Sequence, residues 1–204
     1  MRGLNYEEGI NLRKSMEWFL PIQKMTVGNI VLAPPGPRSL AALSYNDGAT
    51  FCHPSLSILI PPLPVKSYDS SSGRLVLDTS SNHLLSLKLQ MLQDMLQEAI
   101  QYNQTPWFST TYRAEDIRNG FQPLYENSSL ILHCTLRQAQ DNCLPVWTPS
   151  GWRAAKEEDL IAGAKVRIAM KIQGISFLFR NEQNTWTSKS RVQHRIVAVI
   201  PLGA

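Results

Sequence analysis

Lys165-Val166-Arg167-Ile168-Ala169-Met170-Lys171-Ile172 alternates charged positions with apolar ones, and Arg191-Val192-Gln193-His194-Arg195-Ile196-Val197-Ala198-Val199 repeats the pattern. A period of two is that of a β-strand with one face buried and one face wet. The polar run Asn181 to Asn184 between the two stretches reads as a turn. Lys165 to Arg180 and Trp186 to Ile200 are therefore expected to form a basic hairpin whose cations can share one face.

The rest of the chain sharpens that contrast. Of 204 residues, 43% are hydrophobic and 18% charged, with a net charge of +4. That profile fits one compact unit and excludes collagen-like, disulfide-framework and wholly disordered chains. Between Gly163 and Ala204 seven bases, Lys165, Arg167, Lys171, Arg180, Lys189, Arg191 and Arg195, meet one acid, Glu182. Met1 to Ala162 carries thirteen bases against fifteen acids. All of the net positive charge thus comes from the last fifth of the sequence, which points to an anionic partner or a solvated basic face.

Upstream, short strands and turns dominate. Residues 1–38 are expected to be an irregular, Pro-rich segment, with Ile30-Val31-Leu32-Ala33 ending at Pro34-Pro35-Gly36-Pro37. Residues 39–204 then form a single domain. Asn46-Asp47-Gly48 supplies a turn, Ser55 to Ile60 alternates as a strand that Pro61, Pro62 and Pro64 end, and Arg74 to Asp78 alternates again after Ser70-Ser71-Ser72-Gly73. The period changes at Leu85, Leu89, Leu92, Leu96 and Ala99, where 4-3-4-3 spacing predicts an amphipathic helix from about Asn82 to Tyr102. Leu84, Met91, Met95 and Ile100 widen its stripe, and Gln90, Gln93, Asp94, Gln97 and Glu98 fill the far side. Leu85, Leu87, Leu89 and Met91 also alternate, so a strand competes over the first turn. Strand signals return over Ser129 to Leu136, and Pro145 to Trp152 reads as a turn-flanked segment.

Acids at the N-terminus (Glu7, Glu8) precede any apolar stretch, unlike a signal peptide, and no apolar run approaches the ~20 residues of a spanning helix, so no membrane partner is expected. Three cysteines, Cys52, Cys134 and Cys143, suit reduced thiols in a cytosolic or nuclear compartment. Catalytic patterns are lacking: no phosphate-cradling glycine loop, no H-E-x-x-H, no C-x-x-C and no G-x-S-x-G. Cys52-His53, His133-Cys134 and Cys143 fit no zinc template, and Glu157-Glu158-Asp159 reads as a solvated turn. No catalytic residue, metal or cofactor is expected.

Cations interleaved with aromatics are the feature above background. Single-stranded nucleic acid needs cations along its phosphates and flat rings for its bases, and stacking ignores base identity. Trp147, Trp152, Arg153, Lys165, Arg167, Lys171, Arg180, Trp186, Lys189, Arg191 and Arg195 are the candidate binding residues. Phe177 and Phe179 are expected in the core, and Trp186, set among Asn184, Thr185, Thr187, Ser188 and Lys189, at the surface.

The order of these features, closing on Gly163-Ala164-Lys165-Val166-Arg167, Gly174-Ile175-Ser176-Phe177 and Val192-Gln193-His194-Arg195-Ile196, resembles the OB-fold single-stranded DNA-binding proteins of nucleocytoplasmic large DNA viruses. These are in turn similar to a phage replication single-stranded DNA-binding protein. The resemblance runs from about Ser39 to Leu202. It implies a mainly β (α+β) fold, an OB-fold-like five-stranded barrel with one long amphipathic helix inserted. It also implies a non-enzymatic protein that coats single-stranded DNA (or RNA) in viral-type DNA replication or recombination. The setting would be intracellular, in the host nucleus or a cytoplasmic viral replication site, with replication proteins or a second copy of the chain as further partners. The phage-type proteins end in an acidic tail, whereas this sequence ends Ile200-Pro201-Leu202-Gly203-Ala204, which puts tail-mediated recruitment in doubt. A structural or interaction β-sandwich of a viral particle or replication complex is the alternative. An enzyme using Glu157, Glu158 and Asp159 ranks last.

Overall fold

A computed structural model describes residues 19–36, 39–46, 48, 52–108, 110–133, 145–182 and 184–202. The architecture is mainly β, a mixed and mostly antiparallel sheet system with few helices. Its strands are β1 (Leu20–Pro21), β2 (Ile30–Pro35), β3 (Leu40–Asn46), β4 (Cys52–His53), β5 (Leu56–Asp69), β6 (Arg74–Asp78), β7 (Phe121–Gln122), β8 (Tyr125–Glu126), β9 (Ser129–His133), β10 (Pro145–Thr148), β11 (Gly151–Ala154), β12 (Lys165–Phe177) and β13 (Ser190–Leu202). The helices are α1 (His83–Tyr102), α2 (Gln104–Trp107) and α3 (Ala114–Gly120). The main path of paired strands runs β11-β10-β13-β12-β5-β6-β9-β8.

The basic hairpin is present: β12 and β13 pair antiparallel from Lys165↔Leu202 to Phe177↔Ser190. Along β12, Val166, Ile168, Met170 and Ile172 are all fully buried, and the intervening Lys165, Arg167, Ala169 and Lys171 alternate to the opposite side, where Ala169 is buried as well. The β5 strand does not stop at Pro61. It continues to Asp69, pairing first with β12 (Ile60↔Ile168, then Leu63↔Val166) and afterwards with β6 from Val65↔Leu77. Pro61 and Pro62 occupy the register break between those two β12 pairs, a bulge of the kind at which sheets tolerate proline.

Residues expected to be irregular also take part. Pro34 and Pro35 close β2, which pairs with β3 (Ile30↔Tyr45 to Pro35↔Ala41), so a hairpin spans the expected boundary at residue 38. β2 has β3 as its neighbour on one side, and an edge strand tolerates prolines. β3 then packs against the far half of β12 at Gly174↔Ala42. Gly174 has φ +146°, and a Cβ there would lie 2.0 Å from the Ala41 carbonyl oxygen, so only glycine allows this approach.

The helix starts where Asn82 caps it, its Oδ1 accepting from the Leu85 amide at 3.0 Å. Leu85, Leu89, Leu92, Leu96 and Ile100 enter the core. Gln93, expected on the wet side, is buried instead, and its Oε1 accepts from the amides of Leu124 (3.1 Å) and Tyr125 (3.2 Å). Leu84 and Met91 are exposed rather than widening the buried stripe, and Leu87 is exposed beside them. Of the expected strand Ser129–Leu136, β9 supplies Ser129–His133; Leu136, Cys134 and Cys143 lie outside the described residues.

Candidate nucleic-acid interface

Two irregularities in the β12–β13 ladder decide which side chains share a face. The register passes from Ala169↔Ala198 to Met170↔Ile196, leaving Val197 as an extra residue in β13. It then passes from Ile172↔His194 to Gly174↔Gln193, leaving Gln173 extra in β12. A one-residue slip turns every later side chain over. With these bulges in place Lys171 faces Arg195, Ser176 faces Arg191, and Gln193 lies between the two arginines on their side. Lys165, Arg167, Lys171, Arg191 and Arg195 therefore share the outer face of the hairpin, opposite the buried row.

The neighbouring β10–β11 hairpin brings two indoles to the same side. Val146 is fully buried and pairs with Val199, whose partner is Ile168, so Trp147 points outward. Trp147 faces Trp152 across the hairpin, and both are half-buried. Because β10 and β13 run parallel, Trp147 is level with Ile200, and Ile200 pairs with Arg167. A row Trp152–Trp147–Ile200–Arg167 thus crosses four strands, spanning roughly 14 Å at the ordinary strand spacing. The Nε of Arg167 is shielded from solvent and has no hydrogen-bond partner.

Other expected site residues are engaged elsewhere. Arg153 alternates to the side opposite Trp152 and forms a two-pronged pair with Asp159, Nη1 to Oδ2 at 2.6 Å and Nη2 to Oδ1 at 2.5 Å. The same pair holds the Asp159 carboxyl below the usual carboxylate range, with the Lys156 amide adding to it. Arg153 is therefore a brace between β11 and the turn at Glu157–Leu160. This corrects the reading of the acidic run as wholly solvated, since Asp159 is buried.

Trp186 is half-buried rather than free at the surface. Its ring lies beside that of Phe177, centroids 6.5 Å apart, and the Arg180 guanidinium sits 4.0 Å from its centroid. Arg180 is fixed in turn by Asn184, with Nη1 to Oδ1 at 2.8 Å. The ring that the sequence suggests for the core and the structure exposes is Phe179, 56% accessible with the Lys189 ammonium 5.3 Å from its centroid. Phe177 is buried as expected. The signal for Phe179 is its position just beyond the last alternating residue, where a strand's inward parity no longer applies.

Among the described residues no cluster of three or more His, Cys, Asp or Glu could hold a metal ion, and no helix is long and apolar enough to cross a membrane. Comparison with protein-family models, curated proteins and solved structures gives no match for this chain.

Proposed function

We propose that the protein binds single-stranded DNA independently of sequence, laying the strand across the outer face of β10, β13 and β12. The observation that carries this reading is the shared face: Lys165, Arg167, Lys171, Arg191 and Arg195 on one side of the hairpin, with Trp147 and Trp152 beside them. Cations in a row suit a phosphate backbone, and rings at their edge suit bases of any identity.

The strand path supports an OB-like barrel for this role. On the main path of paired strands, five lie in the order β13-β12-β5-β6-β9. The ends of that path are drawn together where the His133 amide donates to His194 Nε2 at 3.0 Å. A five-stranded Greek-key barrel is the usual platform for such binding, and it accords with the resemblance to viral and phage single-stranded DNA-binding proteins of replication and recombination. Tryptophan fluorescence titrated with oligothymidylate and with duplex DNA, at several salt concentrations, tests the reading. Quenching by the single strand that falls steeply with salt is the expected result; equal affinity for duplex, or none for either, overturns it.

A second reading, an interaction protein of a particle or replication complex, is favoured by the exposed Leu84, Leu87 and Met91, which share one side of α1. Self-association without oligonucleotide binding, measured by sedimentation, would select it.

A further inference from the structure

A cavity of about 220 Å³ opens between β7, β9 and β13, with Gln122, Leu124, Ile131, His133, Arg191 and Gln193 among its walls. Along β9 the buried residues are Leu130 and Leu132, so Ile131 and His133 project to the opposite side. Arg191 and Gln193 line the same cavity, and Gln122 is the register partner of Arg191. The mouth of the cavity therefore continues the cationic face.

Resting on the strand-binding reading, we propose that this cavity takes one nucleotide unit of the bound strand. Its base enters between Gln122 and Gln193 against Leu124 and Ile131, and its phosphate rests on Arg191 and Arg74. The size fits one ring system and little more, being smaller than the roughly 300–1,000 Å³ that encloses a whole drug-sized ligand. The chemistry fits as well. Apolar walls meet the faces of a ring, while each glutamine amide offers both a donor and an acceptor to its edge. Because an amide can present either end, such a wall accepts any of the bases, as a sequence-independent binder requires.

Arg74 is the register partner of His133, which places it on the same outer side. The ion pairs among the described residues, Lys66–Asp78, Arg113–Asp116, Arg153–Asp159 and Lys156–Glu158, leave out both Arg74 and Arg191. Their positive field is felt at His133, held below the ordinary imidazole value first by burial and then by Arg191 and Arg74. The walls are set in advance: Gln93 fixes the Leu124 and Tyr125 amides, the Leu124 carbonyl accepts from the Ile131 amide at 2.8 Å, and the neutral His194 ring bridges Val192 and His133.

Nuclear magnetic resonance of the full chain, titrated in turn with thymidine 5′-monophosphate, thymidine, inorganic phosphate and oligothymidylate, tests this. The monophosphate should shift the Ile131 methyl and His133 ring signals saturably, about tenfold more tightly than thymidine or phosphate alone. It should also raise the His133 titration midpoint, since a bound phosphate offsets Arg74 on β6 and Arg191 on β13 while His194 stays neutral. Ile131→Trp, which fills the cavity, should abolish the monophosphate shift of the His133 ring and weaken oligothymidylate severalfold; His133→Ala, which fills nothing, should keep a saturable Ile131 methyl shift, and a methyl that stays unmoved overturns the pocket. Oligothymidylate binding with Ile131 and His133 signals unmoved overturns the pocket and leaves strand binding intact. Inorganic phosphate reproducing the whole effect overturns base insertion. Absence of oligothymidylate binding overturns both readings.

Discussion

Lys171 and Arg195 stand directly opposite each other on β12 and β13, two cations in one cross-strand pair. Like charges so placed repel and destabilise a sheet, and here the extra residue Val197 is what brings Arg195 round to Lys171's side. The bulge thus sets two cations side by side where one phosphate of a bound strand would meet both.

Replacing Lys171 and Arg195 by glutamine should therefore weaken single-strand binding while leaving the fold intact. The slope of log affinity against log salt should flatten by about 0.7 for each phosphate no longer neutralised. Fluorescence titrations at a series of salt concentrations give that slope directly. An unchanged slope would place the strand elsewhere.

Trp147 and Trp152 should each contribute about 1–3 kcal/mol to binding if a base stacks on them. Alanine at either position is expected to reduce affinity for oligothymidylate. Trp186→Ala should act differently, because its ring is held by Phe177 and Arg180. The measurable loss there is in resistance to urea, with binding affected only through the hairpin it braces.

Gly174→Ala should cost about 2 kcal/mol or more of stability, from the positive φ and from the approach of Ala41. Equilibrium denaturation measures it. Since β3 meets β12 at this point, the change should also expose the β2–β3 hairpin to proteolysis.

Acid should destabilise the fold through His194. Burial lowers its pKa to about 4 from the ordinary 6.5, against a smaller raising effect of the Val192 carbonyl. Between those values the unfolded chain takes up a proton that the folded chain refuses, so stability is full above pH 6.5 and declines as pH falls toward 4. The loss over that window amounts to about 3 kcal/mol. His133, lowered in the same direction, adds to it. Urea midpoints measured from pH 7.5 to 4.5 should fall, and His194→Gln should flatten the curve.

Alternation in Lys165–Ile172 is easy to read because each charge marks a side that the core cannot accept. The helix stripe from Leu85 to Ile100 is equally plain, for hydrophobic spacing reports burial directly. Gln93 misleads because its polarity is answered inside the protein by two backbone amides some thirty residues along, and nothing local announces such partners. Asp159 misleads as well, because its acid neighbours suggest a wet turn while Arg153 on the preceding strand β11 pairs with its carboxylate. Prolines at positions 61 and 62 cut the sequence reading of β5 short, because whether a proline ends a strand depends on the ladder beside it. For the candidate site, composition locates the cations, but only the bulge at Val197 decides that Arg191 and Arg195 join Lys171.

One oxygen atom of Gln93 secures the two amides at the start of β8. Undocking of α1 from the sheet must release both at once, which ties the floor of the cavity to the seating of the helix. Deuterium uptake at Leu124 and Tyr125 would accordingly follow the lifting of a helix to which neither belongs.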